Sequence, residues 1–354
     1  MGMEALAIKY RPKTFADVTE QGSTKTILQQ QLDSNGVKHA YLFVGSAGTG
    51  KTTCARIFAN EINKGDGEPI ELDAASNSGV DNVRDIIQQS KLKSLNSEYK
   101  VFIIDECHSL SNTAWQAFLK LLEEPPVKSI FIFCTTDPQK IPKTILSRVQ
   151  RFDFQRISQA GILKRLQYIC RKEAIEDVGS VQLEALEYIA RIADGGMRTA
   201  ITYLDKCLGY DSELTVDHVV KALGTADYIV MMDLTDAIRD YQCEGVIDLL
   251  EGIYADGVDL TQFIRQYVNF VLDTLKVLTT RTYAYSQLPE TEEIQEFVQG
   301  YKGEDDQDTL KELLGALIRL NADIKYDSSP RYMVEASLLH FMWDRFGGVD
   351  GRTE

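Results

Sequence analysis

Near the start of the chain, GSAGTGKT (45–52) obeys the spacing G-x4-G-K-[ST]. Glycines at those positions let backbone N–H groups curl around phosphate oxygens, and a helix opening at the same point favours an anion. In such a loop Gly45, Ser46, Ala47, Gly48, Thr49 and Gly50 form the cradle, and Thr53, in the first turn of the helix, is read with them as nucleotide-binding. Lys51 reaches the β- and γ-phosphates of a nucleotide, and Thr52 offers its hydroxyl to Mg²⁺. A second stretch, VFIIDE (101–106), delivers two carboxylates at the end of an apolar run. Asp105 is read as a member of the Mg²⁺ shell and Glu106 as the group that polarises an attacking water. A glycine-rich turn and an acidic strand end are the bland alternatives, and they leave the pairing of the two stretches unexplained.

Three further places carry side chains of the right type. FCTTDPQ (133–139) places hydroxyls at the end of an apolar run, with Thr136 first and Thr135 second as the group facing a γ-phosphate; Thr-Thr-Asp-Pro is also ordinary turn chemistry. GGMR (195–198) sets Arg198 in the first turn of a helix, where a cation is poorly placed for the helix dipole, so either it is solvated or it has another use. In PKTILSRVQRFDF (142–154), Arg148 stands with no acidic residue in the run before Asp153, and Arg151 is read as structural. The string DECH (105–108) matches one found in some helicases and is read as coincidence.

These residues need a scaffold. Apolar strand candidates fall at 40–44, 69–74, 100–105, 129–135 and 151–154, with helical runs at 52–62, 80–89, 113–122 and a short one near 144–147. Near-continuous apolar strands alternating with helices predict a parallel sheet covered on both faces, with ligands beyond the carboxyl ends of the strands. From 158 onward strand patterns stop. Helices are expected at 158–173, 181–193 and 196–209, and a fourth is capped by Thr215. Further on, Leu310, Leu313, Leu314, Leu317 and Ile318 recur at helical spacing, and a last helix opens at Ser329-Pro330. The expected division is an α/β domain at 1–157, a small helical domain at 158–224, a second helical domain at 225–346 and a tail at 347–354.

The chain has 354 residues and a net charge of −15. Residues 1–158 carry 19 Lys and Arg against 18 Asp and Glu, so the acidity lies in the remainder. A protein that binds nucleic acid over its whole surface is usually basic, so any DNA contact here is local. The 6 cysteines include no CxxC pair, which fits reduced thiols in a cytoplasm. No apolar run is long enough to span a bilayer.

Taken in order, IKYRPKTFADVTEQ (8–21), GSAGTGKTT, ELDAASNSGVDNVRDI (71–86), IDECHSLSNTAWQAFLKLLEEPP (104–126), TTDPQKIPKTILSRVQRFDF (135–154) and GGMRTAITYLDK (195–206) resemble the gamma/tau subunits of the bacterial DNA polymerase III clamp loader, which are AAA+ ATPases. The likeness is strong over about 4–210 and looser to about 345. It implies an AAA+ P-loop domain, an all-α lid and an all-α collar within a five-subunit ring. By that resemblance Arg11 and Pro12 lie near the adenine, with Val18 closing the base pocket. Thr136 becomes a sensor and Arg198 a second sensor reaching the γ-phosphate from the lid. Arg148 matches the arginine that projects into the neighbouring subunit's ATP site. Helix starts at Ser78-Gly79 and Ser111-Asn112-Thr113 would meet DNA phosphates, with Arg84 adding charge, and the basic run 90–100 would approach the sliding clamp. Each helix start is also ordinary capping chemistry, and the basic run is also an ordinary solvated loop.

The implied cofactors are ATP and Mg²⁺. The implied partners are delta- and delta-prime-like subunits, the clamp and primer-template DNA, with no membrane, in a bacterial or phage-infected cytoplasm. Two departures stand out. Family members usually carry a four-cysteine zinc module after the phosphate-loop helix; here NEINKGDGEPIE (60–71) has no cysteine, so no zinc is expected and a phage-encoded or divergent origin is plausible. The chain also stops near the end of the third domain, like the short gamma form or a shortened tau. Another AAA+ machine, such as a replication factor C-like small subunit or a helicase loader, is the alternative reading. An inactive delta-prime-like subunit conflicts with intact Lys51, Thr52, Asp105 and Glu106.

Overall fold

The computed structural model describes residues 4–347 other than 93, 95, 174–179, 211–213, 224–226, 256 and 325–328. The expected boundary at 224/225 and nearly all of the expected tail lie outside the described residues. The chain divides into two compact units, Met1–Gly179 with Ile189–Ser212, and Ser180–Tyr188 with Glu213–Glu354.

The first unit opens with α1 (Leu6–Lys9) and α2 (Gly22–Asp33) and then alternates: β1 (Ala40–Val44), α3 (Lys51–Ile62), β2 (Ile70–Asp73), α4 (Val80–Lys91), β3 (Lys100–Asp105), α5 (Asn112–Glu123), β4 (Ser129–Thr135), α6 (Lys143–Leu146) and β5 (Gln150–Asp153). Every strand pairing is parallel, and the order across the sheet is β2-β3-β4-β1-β5. Strand periodicity of two sends alternate side chains to opposite faces. Leu42, Val44, Phe102, Ile104, Phe131 and Phe133 join α4 and α5 in one core. Tyr41, Phe43, Val101, Ile103, Ile130 and Ile132 join α3 in another. The central strands β1, β3 and β4 are therefore buried on both faces, which is why they read as near-unbroken apolar runs, while the edge strands β2 and β5 are largely exposed or half-buried.

The register aligns the functional ends. Val44 pairs with Thr135, Ile104 with Phe133, and Asp73 with Asp105. β4 lies between β1 and β3, so the loops after these three strands leave the sheet side by side at its carboxyl edge. In the cysteine-free stretch 60–71, α3 ends at Ile62 and β2 begins at Ile70. Gly65 and Gly67 take left-handed φ of 92° and 77° in that turn, and the Asn63 side chain exchanges two hydrogen bonds with the Tyr99 backbone, each 2.9 Å. Beyond the sheet come α7 (Gln159–Lys172), α8 (Ser180–Ile192) and α9 (Met197–Tyr210), with α9 packed on α1 and α7.

The second unit contains α10 (Val216–Ala222), α11 (Asp227–Arg239), α12 (Cys243–Ala255), α13 (Leu260–Thr280), α14 (Glu292–Gly300), α15 (Glu304–Asp323) and α16 (Pro330–Phe346). Thr215 caps α10 by accepting from the His218 N–H. Phe263, Ile264, Tyr267, Phe270 and Val271 of α13 pack with Leu310, Leu313 and Leu317 of α15 and with Val334 and Leu338 of α16. Ile318, expected on the apolar stripe, is 53% exposed, because the buried seam of α15 is narrower than the spacing predicts.

Candidate active site

The phosphate-loop sequence occupies the turn between β1 and α3. Gly48 and Gly50 have φ of 74° and 101°, a region that disfavours side chains. Gly45 donates its N–H to the Thr135 carbonyl (3.2 Å), and a Cβ at Gly45 would lie 2.5 Å from the Phe154 carbonyl oxygen. A Cβ at Gly48 would meet the Gly196 Cα at 3.1 Å, and the Met197 N–H donates to the Gly48 carbonyl at 3.0 Å. GGMR is thus laid directly on the loop, which brings Arg198 to the same place as Lys51.

Lys51 is buried, and its Nζ donates to the Gly45 and Ser46 carbonyls at 2.9 Å each. Burial pulls its pKa down, opposed by the nearby charges of Glu106 and Asp105. Thr49 Oγ1 donates to the Ser46 carbonyl at 2.8 Å and tightens the turn. At the head of α3, Thr52 Oγ1 donates to Asp105 Oδ2 at 2.7 Å. A hydroxyl oxygen beside a carboxylate oxygen is a donor pair suited to a hard divalent cation. Next to it, Glu106 Oε2 accepts from Thr136 Oγ1 at 3.2 Å. Thr135, the other hydroxyl considered, is buried; its Oγ1 accepts from the Asp137 N–H at 3.0 Å and so faces its own turn.

One cleft of about 250 Å³ is lined by Arg11, Pro12, Val18, the loop from Ala47 to Thr53, Asp105, Glu106 and Arg198. Arg11 is held below the ordinary arginine range by burial and by repulsion from Arg56 and Arg198. Cations gathered on a lysine-bearing loop call for an anionic ligand, while Val18 and Pro12 supply an apolar end. The charge, the oxygen pair and the backbone cradle together suit a nucleoside triphosphate with Mg²⁺. Among the described residues no group of three or more His, Cys, Asp or Glu is placed to hold a metal without such a ligand.

Sequence reading missed several contributors. Tyr10 and Arg165 also line the cleft, and Arg165 Nη2 donates to the Tyr10 carbonyl at 2.7 Å. Gln21 bridges the Gln155 carbonyl (2.7 Å) and N–H (3.1 Å) and reaches the Thr49 carbonyl at 3.4 Å, joining the segment before α2 to the loop. These partners lie far apart in the chain, and no local pattern in the sequence signals them.

Arg148 lies apart from this cleft, at the end of α6. It is not unpaired: Nη1 donates to the Thr144 carbonyl (2.7 Å) and Ser147 Oγ (3.1 Å), and Nη2 donates to Glu123 Oε1 at 2.8 Å. Arg151 pairs with Asp153 at 2.6 Å. The two helix starts singled out for DNA meet each other: the Ser111 N–H donates to the Ser78 carbonyl at 3.3 Å, Gly79 caps α4, and Ser111 caps α5 through the Ala114 N–H at 3.2 Å. Asn112 opens α5, Thr113 Oγ1 lies 3.0 Å from Ser111 Oγ, and Arg84 pairs with Asp81 at 2.9 Å.

A five-stranded parallel sheet of this order, with a phosphate loop after β1, paired carboxylates after β3 and helices following, defines the AAA+ class of P-loop proteins. The solved RuvB Holliday junction branch migration motor of Thermotoga maritima has the same fold, with a TM-score of 0.51 and 19% identity over 71% of this chain and 86% of that one. The family model for the DNA polymerase III delta subunit matches residues 68–158, and that for domain III of DNA polymerase III subunits gamma and tau matches 214–342. DNA polymerase III subunit tau of Bacillus subtilis is 34% identical over 96% of this chain and 63% of its own length. The tau subunit of Escherichia coli is 34% identical over 73% of this chain and 43% of its own length. The chain belongs to the DNA polymerase III gamma and tau family, and it spans under two thirds of the length of these relatives.

Proposed function

We propose that the chain is an ATP-hydrolysing motor subunit of a sliding-clamp loader. The observation that carries this reading is the convergence of Lys51, the Thr52–Asp105 pair and the Thr136–Glu106 pair at one edge of the sheet. The loop N–H groups cradle the phosphates while Lys51 exchanges the Gly45 and Ser46 carbonyls for phosphate oxygens. Thr52 and Asp105 would hold Mg²⁺, which neutralises charge developing on the phosphates. Glu106 orients the attacking water, Thr136 steadies Glu106, and Arg198 meets the γ-phosphate from the 158–224 lid. Arg11, Pro12 and Val18 receive the base. Arg148 serves the ATP site of the next subunit in the ring.

In this reading ATP binding assembles the ring with delta- and delta-prime-like subunits through the 225–346 collar and opens the clamp. Primer-template DNA meets the N-termini of α4 and α5 through its phosphates, with Arg84 beside them. Hydrolysis then releases the closed clamp. The turn at 60–71 replaces a zinc module, so one zinc per chain in metal analysis contradicts this part. No described helix is long and apolar enough to cross a membrane; in this reading the subunit acts in the cytoplasm.

Lys51→Ala tests the site. Titration with a fluorescent ATP analogue should show affinity falling by at least about 100-fold, since a buried charge-assisted contact to phosphate is lost. Affinity within a factor of two of wild type would remove Lys51 from the phosphate site.

A further inference from the structure

His108 follows the carboxylate pair and has no part in the mechanism above. It sits in the short turn Cys107–Ser109, which begins where Glu106 takes a left-handed φ of 45°. Such a φ is costly for glutamate and is kept only where the surroundings enforce it. The His108 side chain is 19% exposed, and its Nδ1 lies 3.2 Å from Glu106 Oε2. The same nitrogen lies 3.2 Å from Thr135 Oγ1. Thr135 Oγ1 already accepts from the Asp137 N–H. Nδ1 therefore faces a carboxylate oxygen and a hydroxyl oxygen that already accepts from the Asp137 N–H. A bare ring nitrogen there would set its lone pair against the carboxylate oxygen, so the geometry favours the hydrogen on Nδ1.

Glu106 Oε2 thus accepts from Thr136 Oγ1, which lies beyond β4, and has His108 Nδ1, from the turn after β3, 3.2 Å away, with the ring nitrogen's hydrogen bond directed to Thr135 Oγ1. We infer that His108 is a positioning residue for hydrolysis: its Nδ1–H, bonded to Thr135 Oγ1, holds the ring edge against Oε2, so that Thr136 and His108 together fix that oxygen and leave Oε1 of Glu106 to meet the attacking water. The contact to Thr135 ties that orientation to the end of β4, the strand whose following residue steadies the same carboxylate. This rests on the reading of Glu106 as the water-orienting base.

Single-turnover ATP hydrolysis by the full chain tests it through His108→Ala, His108→Asn, Glu106→Gln and the Ala/Gln double variant. Asparagine can place an amide N–H close to the position of Nδ1. His108→Ala should slow hydrolysis about 10-fold, less than the 10²–10⁴ that a general base itself contributes. ATP affinity should stay within about twofold, His108→Asn should recover most of the rate, and His108→Ala should add nothing in the Glu106→Gln background. An undiminished rate in His108→Ala, or the same 10-fold loss on top of Glu106→Gln, overturns the inference. A wild-type rate in Glu106→Gln alone rejects Glu106 as the base and removes the catalytic consequence drawn for His108. The contact is judged separately, by long-range ¹⁵N–¹H correlation on the chain's 4 histidines. The signal lost in His108→Asn should carry its hydrogen on Nδ1; a hydrogen on Nε2 alone overturns the inference regardless of activity.

Discussion

Arg148 shows what single residues settle. Its guanidinium is held by Glu123 at 2.8 Å, with side-chain exposures of 34% and 47%. A pair that open to solvent is worth roughly 0–1 kcal/mol, so Glu123 restrains Arg148 without committing it. Release toward a neighbouring subunit costs little compared with a contact to a γ-phosphate. Arg148→Ala should leave ATP affinity of the isolated chain within about twofold and slow hydrolysis in the assembled ring by an order of magnitude or more, up to the roughly 10³–10⁵ range of arginine fingers. Steady-state rates of wild-type and variant rings check this, and equal rates refute a role in trans. The phosphate loop was legible in sequence because its chemistry is contiguous: the glycines, Lys51 and Thr52 sit within eight residues. The partner of Arg148 was not, because Glu123 lies 25 residues away and meets it only when α5 packs on α6.

At the scale of elements, the centre of the sheet was readable because both its faces are buried, and strands such as SIFIFCT carry an unbroken apolar signal. α2 was missed for the opposite reason. Only Thr24 and Leu28 of GSTKTILQQQLD are buried, so the helix has almost no apolar stripe to detect. Its place is set by tertiary bonds, above all those of Gln21 to Gln155. The meeting of the α4 and α5 starts was equally invisible in sequence, since the Ser111-to-Ser78 bond joins loops after different strands. In the proposed DNA contact the two adjacent helix N-termini would face one phosphate, and Arg84 is spent on an exposed i,i+3 pair from which it is easily drawn. Arg84→Ala should weaken binding of primer-template DNA by the assembled loader about equally for all sequences and flatten the dependence of log K on log salt by about one contact. Fluorescence anisotropy across a salt series measures both, and an unchanged slope contradicts the contact.

For the whole molecule, charge and architecture are divided in the same sense. Residues 1–158 are near neutral and the helical remainder carries the acidity. An acidic total and a local DNA contact are compatible when the nucleotide-binding unit alone faces DNA. Matches to delta in one stretch and to domain III of gamma and tau in another place the two parts within one family of subunits, each with its own core. What separates a clamp-loading motor from another AAA+ machine is which partners accelerate its chemistry. The most direct test is the ATP hydrolysis rate of the chain assembled with its delta- and delta-prime-like partners, measured with and without sliding clamp and primer-template DNA. Clamp and DNA together should raise the rate several-fold over either alone, and Lys51→Ala in the same assembly should abolish it. A rate indifferent to both clamp and DNA would contradict the clamp-loader account.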